Sequence, residues 1–251
     1  MSFYRVKGKM VKHRLMRKES SLRRHIPETH WFSIPQLRRL LRKYGVVFLK
    51  PDRGSGGKGI IRITRIRKGR YLIRQGTRRT LAGRKALDQL LWKMNRSSRS
   101  YLVQRGLHLA KYRGRKFDIR MYMQNPSSHW IVSGMAARVA PKRLVVTNYL
   151  QGGSVVPLSR ALRPLLGSSR AARYKIRRCK RLSKRIARVL HRHYPDIREL
   201  GIDLAVDRKH RIWIIEANSR PQHKLFYRLP SCRMLRRIRR NKAFIDSHRH
   251  G

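Results

Sequence analysis

Positive charge dominates this sequence and limits how the chain can fold. Its 251 residues include 65 Lys and Arg but only 11 Asp and Glu, which gives a formal charge of +54 at pH 7. Repulsion on that scale opposes compaction unless salt or an anionic partner screens it. Nucleic acid, an anionic polymer or a phosphate-rich surface would supply such a partner, and a genome-wide bias toward arginine is the alternative explanation. Because acids are so scarce, a carboxylate inside an apolar strand calls for a specific reason.

The apolar content of 40% is enough for one large domain or two small lobes that each bury a core. No apolar run approaches the roughly 18 residues of a membrane helix, and the first twelve residues lack a signal-peptide core. We therefore expect a cytoplasmic protein without membrane insertion. Cys179 and Cys232 stand apart from any cysteine or histidine pattern, which argues against a disulfide or a zinc site.

The first hundred residues predict a basic, irregular lead-in over 1–30 and a lobe over 31–100. Ser33 and Pro35 are typical of a helix start, and Gly45 of its end. Apolar and β-branched residues predict strands at 46–50, 60–66 and 71–75, and leucines at helical spacing predict a helix over 81–94.

A glycine-rich loop separates the first two of these strands. A Rossmann loop would open a helix, whereas β-branched residues follow here, and the Lys-Ser/Thr ending of a Walker A loop is missing. A flap between antiparallel strands remains, whose amides can approach phosphates, with an ordinary hairpin turn as the alternative. Lys50, which precedes the loop, places a cation where phosphates would lie. The candidate phosphate-binding residues of the loop are Gly54, Ser55, Gly56, Gly57, Lys58 and Gly59.

The rest of the chain predicts a second lobe over 101–228 and a basic, flexible tail over 229–251. A long helix near 171–193 carries apolar residues on one face and basic residues around the remainder, which we interpret as a solvated surface. The last two predicted strands form a hairpin. The predicted strands lie at 101–104, 117–123, 130–139, 144–150, 202–206 and 212–216.

The hairpin carries the most informative polar residues of the sequence. Asp203 and Glu216 lie on its two apolar strands, and Asn218 follows two residues later on the same side. Two carboxylates and an amide oxygen suit Mg²⁺ that bridges phosphate oxygens. The alternative is that the carboxylates form salt bridges with the abundant arginines.

Another strand, at 117–123, alternates between apolar and polar residues. Asp118 and Arg120 share its polar face and could bind ribose hydroxyls and a phosphate, although a cross-strand ion pair is an equally good interpretation. Arg138 and Asn148, on the next two predicted strands, are similar candidates.

The order of these motifs over residues 10–228 resembles the ATP-grasp superfamily, and within it the YheC/YheD family of spore-coat-associated proteins of spore-forming bacteria. The motifs are Lys50-Pro51 before the glycine loop, Val103-Gln104 with Leu107, Phe117-Asp118 with Arg120, Arg138-Val139-Ala140, Thr147-Asn148 with Gly152-Gly153, Gly201-Ile202-Asp203, and Glu216-Ala217-Asn218. The resemblance implies an α+β ATP-grasp fold, in which two lobes hold the nucleotide between antiparallel sheets.

The resemblance also implies roles for individual residues. Lys12 and Lys50 would bind the phosphates of ATP, and Gln104 to Leu107 would form the hinge beside adenine. The acidic pair and Asn218 would hold Mg²⁺, or Mn²⁺ in its place. Arg120 and Arg138 would face the transferred phosphate.

The implied activity is an ATP- and Mg²⁺-dependent ligase that converts a carboxylate to an acyl phosphate for attack by an amine or thiol, acting in spore coat formation. The carboxylate substrate is unknown. The alternative is a non-catalytic spore-coat or polyanion-binding protein that retains the ATP-grasp scaffold, in contact with coat components or an anionic polymer. Two features depart from many ATP-grasp ligases, because Gln104 stands where they have Glu and we expect no separate N-terminal domain.

Overall fold

The structure is a computed structural model that describes residues 8–54, 56–96, 100–141 and 153–248. Within these ranges the chain forms two antiparallel sheets flanked by helices, which confirms the predicted α+β class. The elements in chain order are α1 (Lys9–Lys18), α2 (Ser20–Arg23), β1 (Thr29–Trp31), α3 (Ile34–Tyr44), β2 (Val46–Pro51), β3 (Ile61–Arg67), β4 (Arg70–Gln75), β5 (Arg78–Ala82), α4 (Arg84–Asn95), β6 (Tyr101–Arg105), β7 (Lys111–Tyr112), β8 (Arg115–Gln124), β9 (Ile131–Val139), β10 (Ser154–Val156), α5 (Leu158–Leu166), α6 (Ser169–His193), β11 (Glu199–Val206), β12 (Ile212–Asn218), a 3-10 helix (Lys224–Arg228) and α7 (Arg233–Ser247).

The first sheet has the strand order β1-β6-β2-β3-β4-β5. Its core forms on one face, where leucines of α3 and α4 pack against residues such as Val47 and Ile63. Helix α3 begins and ends as the sequence predicts. The Ser33 hydroxyl accepts a hydrogen bond from the Gln36 amide, and Gly45 ends the helix in the left-handed conformation with φ 69°.

The second sheet has the order β10-β9-β8-β11-β12, and β7 pairs with the start of β8. Phe117, Ile119, Met121 and Met123 point into a core that helix α6 covers. The alternating pattern of β8 therefore places Asp118 and its polar neighbours on the opposite face, as predicted. That face looks toward the first sheet, so a cleft lies between the sheets.

The predicted irregular lead-in over 1–30 is wrong for the described residues, because Lys9–Lys18 and Ser20–Arg23 are helical. Met16 and Leu22 are almost fully buried in the core of the second sheet. The buried face of α1 also includes Lys12 and His13. Because these two residues are polar, the sequence of α1 lacks the apolar spacing that would predict a helix. Tertiary packing therefore stabilises a helix that local pattern does not predict.

The predicted flexible tail is also wrong, because residues Arg233–Ser247 form helix α7 against the cleft face of the second sheet. Ile238 is fully buried with Tyr122 and Phe226. The Gln124 side chain donates to the Ile238 carbonyl, with an N–O distance of 3.1 Å. Few apolar residues interrupt the basic run, and three of them, Leu235, Ile238 and Ile245, are buried on one face of the helix.

We expect the substitution Ile238→Val to lower the free energy of unfolding by about 0.5–1.5 kcal/mol, because it removes a buried methyl group from a packed core. Arg240 is exposed on the same helix, and Arg240→Ala should change stability by less than about 0.5 kcal/mol. Urea denaturation of both variants measures the difference. A flexible tail would leave both variants at wild-type stability.

Smaller differences concern element boundaries. Leu81 lies in strand β5 with 65% of its surface exposed, and helix α4 begins only at Arg84. Strand β6 pairs with β2 in the first sheet, although the predicted second lobe begins at residue 101. The predicted strand at 144–150, with Asn148, lies outside the described residues. None of the helices in the described part of the chain is both long and apolar enough to cross a bilayer.

Candidate functional site

The β11–β12 hairpin brings the predicted acidic residues together. Asp203 and Glu216 are direct partners across the two antiparallel strands, so their side chains lie on the same face of the sheet. Asn218 pairs with Gly201 two positions further along and faces the same way. A register irregularity directly after Asp203 bends the strand at this point. The structure therefore places all three predicted metal ligands on the cleft face.

Asp203 lies between two arginines, Arg120 on the adjacent strand β8 and Arg138 on β9. Arg120 Nε is 2.7 Å from Asp203 Oδ1, and Arg138 Nη2 is 2.9 Å from Asp203 Oδ2. Arg138 also donates two hydrogen bonds to Asp118, with Nε–Oδ1 and Nη2–Oδ2 distances of 2.6 and 2.8 Å. The salt bridges that the sequence left open are thus present for both aspartates. A ribose contact of Asp118 would have to compete with this ion pair.

Asp118, Asp203, Arg120 and Arg138 stabilise one another in their ionised states. Burial raises the pKa of Asp203, but Arg120 and Arg138 outweigh it and keep that pKa below its ordinary value. Burial lowers the pKa of Arg138, whereas Asp118 and Asp203 hold it above the usual range. The stabilisation by Asp203 is therefore complete above the ordinary aspartate pKa and is lost only as the pH falls through the lower folded-state pKa.

The oxygen atoms at this point fit a hard divalent cation. Asp203 Oδ1 is buried and accepts no well-aligned hydrogen bond from the described residues. The Glu216 side chain is 32% exposed, and its nearest cation is Lys9 Nζ at 3.9 Å from Oε1. Asn218 Oδ1 accepts one hydrogen bond from the backbone amide two residues later and keeps a second lone pair. Two carboxylates and an amide are ligands that Mg²⁺ accepts.

The predicted metal site needs the side-chain amide of Asn218 as its third ligand. In the described part of the chain, no group of three or more His, Cys, Asp or Glu side chains gathers into a possible metal site. Asp203 is neutralised by two arginines, so Glu216 carries most of the negative charge that faces the cleft.

Three lysines lie around Glu216, namely Lys9 and Lys12 of α1 and Lys50 of β2. Lys50 comes from β2, and burial lowers its pKa to about 8, with a further decrease from Lys9 and opposing contributions from Glu216 and Asp203. Burial also lowers the pKa of Lys12, which Glu216 partly offsets. These cations outnumber the acids, so the cleft favours a polyanion such as a chain of phosphates.

Sequence reasoning missed Lys9. Its ammonium donates to the carbonyl oxygens of Pro51 and Gly54, at 3.0 and 2.9 Å, besides lying near Glu216. The Asp52 carboxylate in turn accepts from the amide of Met10, at 2.8 Å. Helix α1 is thereby tied to the start of the glycine loop. No sequence signal distinguishes Lys9 from the other basic residues of the chain.

The glycine loop connects β2 and β3, which pair antiparallel as predicted. The four glycines of the loop have φ between 68° and 127°, a region that side-chain-bearing residues rarely adopt. The loop can therefore present bare amides toward the cleft. Lys58 is exposed, and Ser55 lies outside the described residues. The glycines with positive φ are Gly54, Gly56, Gly57 and Gly59.

The predicted hinge begins at Gln104, within strand β6, and continues beyond the strand to Leu107. The Gln104 side chain accepts a hydrogen bond from Lys50 Nζ at 2.6 Å and donates to the Thr29 hydroxyl at 2.9 Å. A Cβ on Gly106 would lie 2.4 Å from a methyl carbon of Val46, so only glycine fits there. Leu107 is half-buried in the connection to the second sheet. The hydrogen bond from Lys50 to Gln104 thus ties Lys50 to the predicted hinge.

A small pocket lies between α1, the first sheet and β12. Its wall combines apolar side chains with a few converging polar groups, which is typical of a small-molecule site. The cavity contains the predicted residues Lys12, Lys50, Gln104 and Glu216. The apolar wall is formed by Met16, Ile26, Leu102, Ile214, Ile215 and Ala217.

Comparison with known proteins gives a consistent result. A model of the YheC/D-like ATP-grasp family matches residues 3–243. The matched range includes all the candidate site residues named above.

Two curated relatives come from Bacillus subtilis (strain 168). Endospore coat-associated protein YheD is 25% identical over 222 residues, which cover 85% of this chain and 48% of YheD. Endospore coat-associated protein YheC is 23% identical over 220 residues, which cover 85% of this chain and 60% of YheC. The chain thus spans about half to three-fifths of the length of these relatives.

Among solved structures, the ATP-grasp ligase PsnB in complex with a minimal precursor, Mg and ADP is similar, with a TM-score of 0.54 at 14% identity. The likeness covers 95% of this chain and 59% of PsnB. At that identity it shows the fold alone, which is the ATP-grasp fold.

Proposed function

The chain belongs to the YheC/D-like ATP-grasp family, and from that premise we propose that it binds ATP with Mg²⁺ and joins a carboxylate to an amine or a thiol. The observation that carries this proposal is the position of Asp203 and Glu216 opposite Lys50, with Arg120 and Arg138 on the adjoining strands. A costly acidic pair surrounded by cations suits a bound metal and phosphates better than an inert scaffold.

The nucleotide lies between the two sheets in this proposal. Lys12 and Lys50 bind its phosphates together with the amides of the glycine loop, and the backbone from Gln104 to Leu107 lies beside adenine. Lys9 holds the start of the loop in place through its hydrogen bonds to backbone carbonyls. Asp203, Glu216 and Asn218 would hold Mg²⁺ or Mn²⁺, which supplies positive charge to the phosphate oxygens when bound.

The two arginines act on the transferred phosphoryl group. A carboxylate oxygen of the substrate attacks the γ-phosphorus, and ADP leaves with the electrons of the broken P–O bond. An amine or thiol then attacks the acyl carbon, loses its proton and releases phosphate. Arg120 and Arg138 offset the charge on the transferred group, so positioning and electrostatics suffice without a nucleophilic side chain. Asp118 keeps Arg138 in place.

The names of the curated relatives link this family to the endospore coat. We extend our proposal to a ligation that modifies a coat component. The rival is a coat protein that binds anionic polymers through its excess positive charge and has no turnover.

ATP-dependent turnover distinguishes the proposed ligase from the polymer-binding coat protein. At high salt, which suppresses nonspecific ATP binding, Mg-ATP is supplied with a panel of carboxylates and amines while ADP and phosphate are measured. We expect ADP release that requires both a carboxylate and an amine. The Lys50→Gln variant should not release ADP. Binding of Mg-ATP without turnover across the panel, together with steeply salt-dependent polymer binding, would favour the structural rival.

The proposed contact of Lys50 with phosphate predicts a pH dependence. With a pKa of about 8, the ammonium is about nine-tenths protonated at pH 7 and about one-tenth at pH 9. Metal-free ATP binding needs the protonated form, so its affinity should fall by up to about tenfold over this interval. Lys50→Gln should bind more weakly and remove this decrease.

Titration calorimetry at constant ionic strength measures the affinities. Lys184 is exposed on α6, and its replacement by Gln is the control that should retain the decrease. An equal pH dependence in Lys50→Gln would contradict the assignment.

A further inference from the structure

A second group of cations lies in the cleft, away from the acidic residues. Arg62 and Arg74 are direct cross-strand partners on β3 and β4. Their neighbours Ile61 and Ile63 point into the core of the first sheet, so both arginines lie on the opposite face, which also carries Lys50. Both are only partly exposed.

The third member comes from the second sheet. Lys116 lies on β8, on the same face as Asp118 and Arg120. Arg120 is the partner of Asp203, and Lys116 is four residues earlier, about 13 Å along the strand. The cationic group therefore occupies a different part of the cleft from the Asp203–Glu216 carboxylates.

These cations lack counter-charges. In the ranges that the structure describes, the side chains of Arg62, Arg74 and Lys116 make no hydrogen bond or ion pair, and Arg74 Nε is buried without a partner. Burial lowers the pKa of Lys116 to about 8, and the charges of Arg62 and Arg74 lower it further. Burial and Arg74 likewise lower the pKa of Arg62. Partly buried like charges of this kind are costly unless an anion joins them.

We propose that Arg62, Arg74 and Lys116 form a binding site for a phosphoryl group of a small-molecule ligand, separate from the Asp203–Glu216 carboxylates. Three positive charges in one place are matched better by a phosphate monoester or diphosphate, with about two negative charges per phosphate, than by a single carboxylate. Two adjacent guanidinium groups also suit the oxygen geometry of phosphate.

Two exposed cations, Lys111 and Arg208, lie close enough to lower the pKa of Lys116 as well. They extend the positive field outward from the site and would attract an anionic ligand toward it. The site does not depend on nucleotide binding, because it uses none of the residues assigned to ATP.

The test uses inorganic pyrophosphate as the probe, with a chelator present and ionic strength held constant with NaCl. Calorimetry compares wild type with the double substitution Arg62→Gln/Arg74→Gln. We expect affinity to fall at least about tenfold, because two charge-assisted contacts are lost. The control Arg181→Gln/Arg188→Gln removes two exposed charges from α6 and should stay within about twofold of wild type. Lys50→Gln, in the proposed ATP site, should lose less affinity than the Arg62/Arg74 variant.

Three results would overturn the proposal. A larger loss in Lys50→Gln than in the Arg62/Arg74 variant would mean that the probe occupies the ATP site. Equal losses in all three variants would mean a general effect of net charge. Tricarballylate, a tricarboxylate, serves as the chemical control. We expect it to bind at least tenfold more weakly than pyrophosphate, and equal binding would exclude selectivity for phosphoryl groups.

Discussion

Glu216→Gln is expected to abolish the Mg²⁺-dependent part of ATP binding and to reduce any ATP-dependent turnover at least about 100-fold. The lower bound follows because even residues that only support metal ligands contribute about 10–100-fold to metal affinity. Glu216 is the best position for this test, since it carries most of the negative charge of the site and forms no salt bridge with an arginine among the described residues. Asp203, by contrast, is part of a buried ion-pair network whose loss would also affect folding.

The same variant should keep its ability to bind metal-free ATP, or bind it more tightly. Removal of the carboxylate leaves Lys9, Lys12 and Lys50 without their common counter-charge, which favours the phosphates. Thermal shifts with Mg-ATP and with ATP plus chelator, at matched ionic strength, separate the two contributions.

The matched control for Glu216→Gln is Asp196→Asn, which neutralises an exposed carboxylate outside the cleft. It should behave as wild type in both ligand conditions. A Mg²⁺-dependent shift of wild-type size in Glu216→Gln would remove Glu216 from the metal site. Loss of both shifts together would instead indicate a damaged cleft.

Asp118→Ala is expected to lower the free energy of unfolding by about 3 kcal/mol, because it leaves a buried arginine without its bidentate partner. Arg138 keeps its second contact, to Asp203, which places the cost at the lower end of the range for broken buried pairs. For a chain of this size the melting temperature should fall by about 6–12 °C. Differential scanning calorimetry measures both quantities.

Two further variants separate burial from charge. Asp88→Ala breaks a more exposed pair with Arg38 and should cost no more than about 1 kcal/mol. Asp118→Leu/Arg138→Met replaces both partners with apolar groups and should regain part of the stability, because Asp203 then keeps only Arg120 as its partner. The double variant should nevertheless lack turnover, because the proposed chemistry needs Arg138. A loss in Asp118→Ala no larger than that in Asp88→Ala would show that the pair is not desolvated.

Part of the candidate site could be predicted from the sequence, because β8 alternates between apolar and polar residues and because the acids of the hairpin stand out in apolar strands. In β8, β11 and β12 the period of two fixes which side chains share a face, and the apolar set fixes which face is buried. Asp203, Glu216 and Asn218 therefore share a face as predicted. The scarcity of acids made these residues conspicuous, whereas the abundance of basic residues hid Lys9, Arg62 and Lys116.

The termini show the opposite case. Helices α1 and α7 have weak local patterns, since their buried faces include Lys12, His13 and Asn241. Their helical state depends on cores and hydrogen bonds supplied by distant strands, such as the bond from Gln124 to the Ile238 carbonyl.

The sequence by itself determined the antiparallel hairpin and the face on which its acids lie, because these follow from local alternation and turn residues. It indicated the fold class through the order of its motifs, which resembles that of a known family. Only the tertiary structure decided which charges meet. The pairing of Asp118 and Asp203 with Arg138, and the grouping of Arg62 and Arg74 with Lys116, depend on strand order and on how the sheets face each other. Electrostatic energy depends on distances between residues far apart in the chain, and no local pattern records those distances.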